Sequence, residues 1–370
     1  MAIDPQQKRY WQVASGDVGR DFSQLFLEHD VMSIGPGRFG RYDQKTYDAV
    51  VESGEFSSAK ITTVRKFHDD IQIDDIVLLR NGHEVVGLGV VASDYDHDER
   101  FDDIHGWDLQ HFRRVIWQHH LADELTRIQK RDKLFGHLKQ QTTFSGVTKA
   151  NGRVLDRIEP LIGKTKRRPL AEMPPYPSEP LSLGELGQQL FSKGIANDAV
   201  DRVLSAIERQ RRLLKWYEEQ GAESKRPKEH EVVAHMVLPL LLALGWSEQL
   251  LAIEWDKIDL AAFCKTPTTA ETCVLVCETK EMKHGLHGVL EQAVRYVKTL
   301  RLKRCERILL TQGARYYLYD RPAMGWSYPL QPTGYLNVEK IRTDHVYPPN
   351  SNAVDTIVAL SPLGAVQSST

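Results

Sequence analysis

The run CVLVCETKEMKHG, residues 273–285, puts a glutamate and a lysine at the end of an unbroken apolar segment. Cys273 to Cys277 has the length and character of a strand buried on both faces, and Glu278 and Lys280 extend it. Side chains on a strand alternate with a period of two, so Glu278 and Lys280 point to one side, about 7 Å apart. Two charges at the rim of a core need compensation. A salt bridge would supply it; a metal ion and a phosphate would supply it better.

At 370 residues the chain is too long for one ordinary core, and two or three domains are expected. The formal charge of −2 gives no global attraction for nucleic acid. Locally, residues 127–168 hold twelve Lys or Arg against three acids, an excess that suits either a phosphate backbone or a solvated basic linker. The four cysteines, Cys264, Cys273, Cys277 and Cys305, include no C-x-x-C, which favours reduced core thiols over zinc. The N-terminus has no signal-like apolar stretch, and the longest apolar run, MVLPLLLALGW, is interrupted by Pro239. A cytoplasmic protein with no membrane partner is the expectation.

Residues 1–120 predict a strongly curved β-barrel with a few helices. DIVLLR and EVVGLGVV flank Asn81-Gly82, a strong short-range hairpin signal. Gly87 and Gly89 mark bends or close backbone approaches. Residues 121–220 read as a helical, basic linker region with a proline-rich stretch. Residues 221–330 give a helix starting after Pro227 and stopping at Gly245, a three-strand meander, a second helix, then two strands turning near Gln312-Gly313. Residues 331–370 read as an irregular C-terminal extension. The fold class expected is therefore α/β, in two compact domains joined by the helical basic region.

Four features of the second domain combine. Glu229 lies near a helix start, Asp259 on one strand, Glu278-Thr279-Lys280 on the next, and Gln292 and Tyr296 on one face of the following helix. Neighbouring Asp259 and Glu278 would repel unless a divalent cation lay between them. Oxygen ligands with waters suit Mg²⁺, with Mn²⁺ as the alternative. Lys280 would orient or help deprotonate a water. Such an apparatus would hydrolyse a phosphodiester.

These residues resemble the PD-(D/E)xK nucleases over roughly residues 226–320. The pieces are the KEHEVV…LPLLLALGW helix, Asp259 in KIDLAAF, ETK at 278–280, and QAVRY at 292–296, which looks like the Q-x-x-x-Y helix of the RecB-like and type I restriction branches. The resemblance implies a restriction-endonuclease-like α/β domain. It implies metal ligation by Asp259, Glu278 and the Thr279 carbonyl, water activation by Lys280, and Glu229 completing the site. Gln292 and Tyr296 would pack beneath the site or touch the DNA backbone. Ile258 stands where the family pattern has proline before the aspartate.

In the first domain, Trp11 and Trp107 lie at segment edges and suit a pocket that sandwiches a base, with Asp108 placed to read a base edge; Trp117 reads as core. The string from YWQVAS through DDIV and G-x-G-x-V to RRVIW looks like an EVE or YTH-like module of the PUA-like class. That resemblance implies a reader of modified, flipped-out bases. GPGRFGRY satisfies G-x-G-x-x-G, but Pro36 sits in its turn and no acidic ribose partner follows, so it argues against dinucleotide binding. His284 and His287 read as exposed rather than metal-binding. Together the two resemblances imply a modification-dependent (type IV-like) DNA endonuclease, acting on DNA, such as modified phage DNA, as a homodimer. The alternatives are a catalytically silent nucleic-acid binding or adaptor protein serving a separate ATPase or nuclease partner, and an RNA-directed nuclease.

Overall fold

The structure is a computed structural model. It describes residues 9–16, 21–54, 56–82, 84–132, 138, 143–148, 154–220, 227–282, 285–286, 288–322, 327–362 and 364. His284 and His287 lie outside the described residues, as does much of the basic stretch between 133 and 153. The chain forms two compact units, Met1–Tyr176 and Pro177–Thr370. No helix among the described residues is long and apolar enough to cross a membrane.

The first unit is a curled half-barrel of strands with helices. Its strands are β1 (Tyr10–Ala14), β2 (Val31–Ile34), β3 (Ile76–Asn81), β4 (Glu84–Val91), β5 (Asp96–His97), β6 (His111–Trp117) and β7 (Phe144–Gly146), in the order β2-β6-β4-β3-β1-β7 with β5 beside β6. The helices are α1 (Ser23–Glu28), α2 (Gln44–Ser53), α3 (Ser58–Asp69), α4 (Ala122–Asp132) and α5 (Val154–Ile162). The β3–β4 hairpin turns at Gly82, whose φ of 54° is left-handed, as the Asn-Gly pair predicts. Gly89 is a point of close approach: a Cβ there would come within 2.4 Å of Val115 and 2.6 Å of the Trp117 ring. Trp117 is core, as expected, with its indole N–H donating to Phe26 O at 2.8 Å.

The expected linker does not stand apart. Helices α4 and α5 and strand β7 belong to the first unit, and Leu121, Leu125, Val154, Ile158 and Leu161 share one core with Ile76 and Leu78. Part of its positive charge is neutralised within the same unit. Lys164 pairs with Glu124, Arg167 with Asp74, and Arg168 holds the fully buried Asp30 through two contacts of 2.6 Å.

The second unit is one six-stranded sheet between helices. It contains α6 (Leu183–Ser192), α7 (Asn197–Glu219), α8 (Glu229–Val232), α9 (Leu238–Ala243), β8 (Leu251–Trp255), β9 (Ile258–Phe263), β10 (Cys273–Thr279), α10 (Val289–Thr299), β11 (Arg307–Thr311), β12 (Arg315–Asp320), β13 (Gly334–Asn337) and α11 (Ala353–Ala359). The strand order is β13-β12-β11-β10-β9-β8. Neighbouring strands of this sheet run antiparallel except β10 and β11, which are parallel and joined by α10. Helix, three-strand meander, helix and two strands are thus found in the expected order. The helix from Glu229 to Ala243 runs through a π-helical turn at Val233–Val237. Pro239 has no N–H for the carbonyl of His235, and Arg209 donates to that carbonyl instead at 3.1 Å.

One face of the sheet packs on α6, α7, α9 and α11, and the other on α10. The C-terminal segment 331–370, expected to be irregular, instead supplies the edge strand β13 and the buried helix α11. Ala353, Val354, Ile357 and Leu360 are core residues. GYLN is too short to show a period, and α11 gains its order from that apolar face.

Candidate active site

The pairing of β9 with β10 sets Cys277 opposite Leu260 and Val276 opposite Ala261. Just past the last pair of that register, Asp259 lies close enough to Glu278 for its charge to act on the Glu278 carboxyl. Glu278 follows Val276 onto the face covered by Ala293 and Val297 of α10. Two acids nineteen residues apart in sequence thus become cross-strand neighbours.

Each is held differently. Asp259 Oδ2 accepts the Thr279 backbone N–H at 2.6 Å and the Thr279 hydroxyl at 2.9 Å. Glu278 is 1% exposed. Its Oε2 accepts from Gln292 Nε2 at 3.0 Å, and the same amide reaches Tyr296 Oη at 3.3 Å. Its Oε1 is buried with no hydrogen-bond partner. Burial first, and then the charge of Asp259, raise the Glu278 carboxyl to a pKa of about 8. A buried acceptor left unsatisfied beside a second carboxylate is a position that attracts a cation.

Lys280 lies one residue beyond β10, its backbone N–H donating to Thr311 O on β11 at 2.9 Å. Its side chain is 17% exposed, and its ammonium donates to Glu229 Oε1 at 3.0 Å and to the Thr279 carbonyl at 2.7 Å. Glu229 heads the helix of the Pro239 π-turn, where the helix N-terminus favours an anion. The structure therefore brings Asp259, Glu278, Thr279, Lys280, Glu229 and Gln292 to one end of β10. Sequence reasoning missed the Thr279 hydroxyl as the clamp on Asp259; the threonine inside ETK was its only trace.

Among the described residues, no three His, Cys, Asp or Glu side chains cluster as a metal site. The donors available are two carboxylates and the Thr279 carbonyl. That set suits Mg²⁺, which keeps several waters and takes one or two carboxylates from the protein. The orphaned Glu278 Oε1 is the observation that fits such an ion.

The expected base pocket is placed differently. Trp11 is a core residue, 7% exposed, stacked on Phe144 with ring centroids 5.0 Å apart. Its indole N–H donates to Asp75 Oδ2 at 2.8 Å. Its strand is flanked by β3 and β7, which buries a side chain expected at an edge. Trp107 is half-buried in a turn bridged to Ile104, with its ring 6.2 Å from Phe22. The Asp108 carbonyl accepts the Gly37 N–H at 3.1 Å, and a Cβ on Gly37 would lie 1.4 Å from Gln110 Oε1. The GPG turn is therefore seated on residues 108–110. Beneath it His111 donates from Nε2 to Pro36 O at 2.9 Å and accepts the Tyr95 hydroxyl at Nδ1, 2.8 Å. Burial lowers the His111 pKa to about 4, so the ring is neutral.

Residues 11–144 match a family described as a domain of unknown function (DUF8426). A comparison with curated proteins finds no match. Among solved structures, protein Atu2648 from Agrobacterium tumefaciens is similar at 15% identity over 44% of this chain and 98% of that one, with a TM-score of 0.19. At that score the likeness carries no argument.

Proposed function

We propose that the chain is a modification-dependent DNA endonuclease, with a PD-(D/E)xK-type catalytic unit and a PUA-like first unit that reads a modified base. The observation that carries the catalytic part is the unpartnered, buried Oε1 of Glu278 beside Asp259, with Lys280 at the same end of the strand. The order helix, three strands, helix, strand, with parallel β10 and β11, supports the same reading.

Asp259, Glu278 and the Thr279 carbonyl would hold Mg²⁺ or Mn²⁺, which supplies polarisation of the scissile phosphate when bound. Thr279 fixes Asp259 through two donors, and Gln292 fixes Glu278, so neither carboxylate has to be ordered on binding. The Lys280 ammonium has three protons and gives two to Glu229 and Thr279; the third is available to an attacking water or a phosphate oxygen. Hydrolysis forms a bond from that water to phosphorus and breaks the bond to the leaving deoxyribose oxygen; the water gives up a proton to solvent and the leaving oxygen takes one up from solvent. Glu229 holds Lys280 in place.

In the first unit, the half-buried Trp107 and the adjacent Asp108 are the candidate reader residues; Trp11 serves the core. Two-strand cleavage requires two such sites, hence a homodimer. Defence against phage carrying modified DNA is the setting this pairing fits.

Purified protein incubated with modified and unmodified phage DNA and Mg²⁺ tests the reading. Cleavage of one modified class is expected, reduced at least roughly 100-fold by Asp259→Asn and by Lys280→Ala, on the scale of losing a charge-stabilising group. Binding without cutting, unchanged by both substitutions, would establish the adaptor reading instead, and cutting of ribo-oligonucleotides alone would make RNA the substrate.

A further inference from the structure

Helix α10 leaves the catalytic end of the sheet at Gln292 and runs toward the opposite end, where β10 begins. Its solvent face carries Arg295 and Lys298 at a three-residue spacing, and the turn after it carries Arg301, Lys303 and Arg304. Arg304 reaches across to the β9–β10 hairpin, its Nη1 lying 4.0 Å from Cys264 Sγ, beside Lys265. All six cations are exposed. None of them makes an ion pair among the described residues. The acids at the borders are the exposed Glu271 and Glu291 and the half-buried Glu306; Lys303 helps to lower the pKa of Glu271, behind its own hydrogen bonds. The whole chain has a formal charge of −2, so a ridge this basic is a local feature.

We infer that this ridge binds the phosphate backbone of the duplex on one side of the cut, as a second contact distinct from the catalytic carboxylates. The inference rests on the nuclease reading for the identity of the polyanion. The observation beneath it is independent of the metal site: six exposed cations on α10, the turn after it and the β9–β10 hairpin that make no ion pair among the described residues. β10 has seven residues, so the ridge's far end is roughly 20 Å from Glu278 at about 3.3 Å per residue. That spans roughly six base pairs at about 3.4 Å each. Exposed lysines and arginines contact phosphates without reading bases, so the ridge contributes affinity and register, not sequence choice.

The test is the salt dependence of binding to a short fluorescein-labelled duplex, read by anisotropy in EDTA between about 50 and 200 mM salt. Full-length wild-type protein is compared with Arg301→Gln/Lys303→Gln/Arg304→Gln, substitutions that keep most of each aliphatic stem. The slope of log K against log salt should flatten by about 2 to 3, because each phosphate no longer neutralised removes about 0.9 from it. Lys265→Gln/Lys298→Gln should flatten it by about 2 on the same rule. Slopes and affinities unchanged in both variants, with circular dichroism showing intact folds, would overturn the ridge while leaving the nuclease reading standing. Failure of the wild-type protein to bind any duplex would overturn the nuclease reading itself, and the ridge with it.

Discussion

Glu278 is the residue on which folding and proposed chemistry pull in opposite directions. Its carboxyl is buried, half-satisfied and raised to about 8, well above the ordinary 4.5. A carboxyl raised on folding binds its proton more tightly in the native state, so the contribution to stability runs opposite to that of a salt-bridged acid. It is present below the ordinary pKa and is lost as pH rises through about 8. In metal-free buffer the wild-type protein should therefore lose stability from this group between about pH 5 and 8, and Glu278→Gln should lack that part of the decline. Urea midpoints at the two pH values measure it; parallel curves for the two proteins would refute the assignment. Asp30 shows the reverse arrangement. Its carboxylate is fully buried but satisfied by Arg168, by the Ala171 N–H and by the Trp117 N–H. Arg168→Ala leaves that charge unpaired and should cost about 3 kcal/mol or more in denaturant unfolding.

At the scale of elements, the parts legible in sequence were those whose signal is local. The Asn-Gly pair fixed the β3–β4 hairpin, and the apolar run ending in ETK fixed β10 with its two charges at the tip. The four-residue spacing of Gln292 and Tyr296 put both on the face that meets Glu278. What stayed illegible depends on partners distant in sequence. β7 is three residues long and is a strand because it pairs with β1, more than a hundred residues away. That pairing, with β3 on the other side, is what buries Trp11. Gly89 lies between these cases: a glycine in a strand predicts a close approach, and only the structure shows Trp117 and Val115 to be what approaches. Gly89→Ala should destabilise the first unit by about 1 to 3 kcal/mol through overpacking. A change below that range in denaturant unfolding would mean the Trp117 ring has room to shift.

For the whole molecule, the chain divides at Tyr176–Pro177 into two compact units, each with its own core. Basic residues that suggest a nucleic-acid track in the sequence are partly neutralised in internal pairs, whereas those of α10 and the turn after it, five Lys or Arg against one acid over residues 289–304, make no ion pair among the described residues. Charge counting along a chain does not distinguish the two, because pairing is decided by the fold. The proposed chemistry requires that the end of β10 take a divalent ion. Electron paramagnetic resonance of free Mn²⁺, titrated with full-length protein, measures that without any nucleic acid. Saturable binding that is lost in Asp259→Asn and in Glu278→Gln is the expected result. No binding, or binding equal in wild type and both variants, would contradict it.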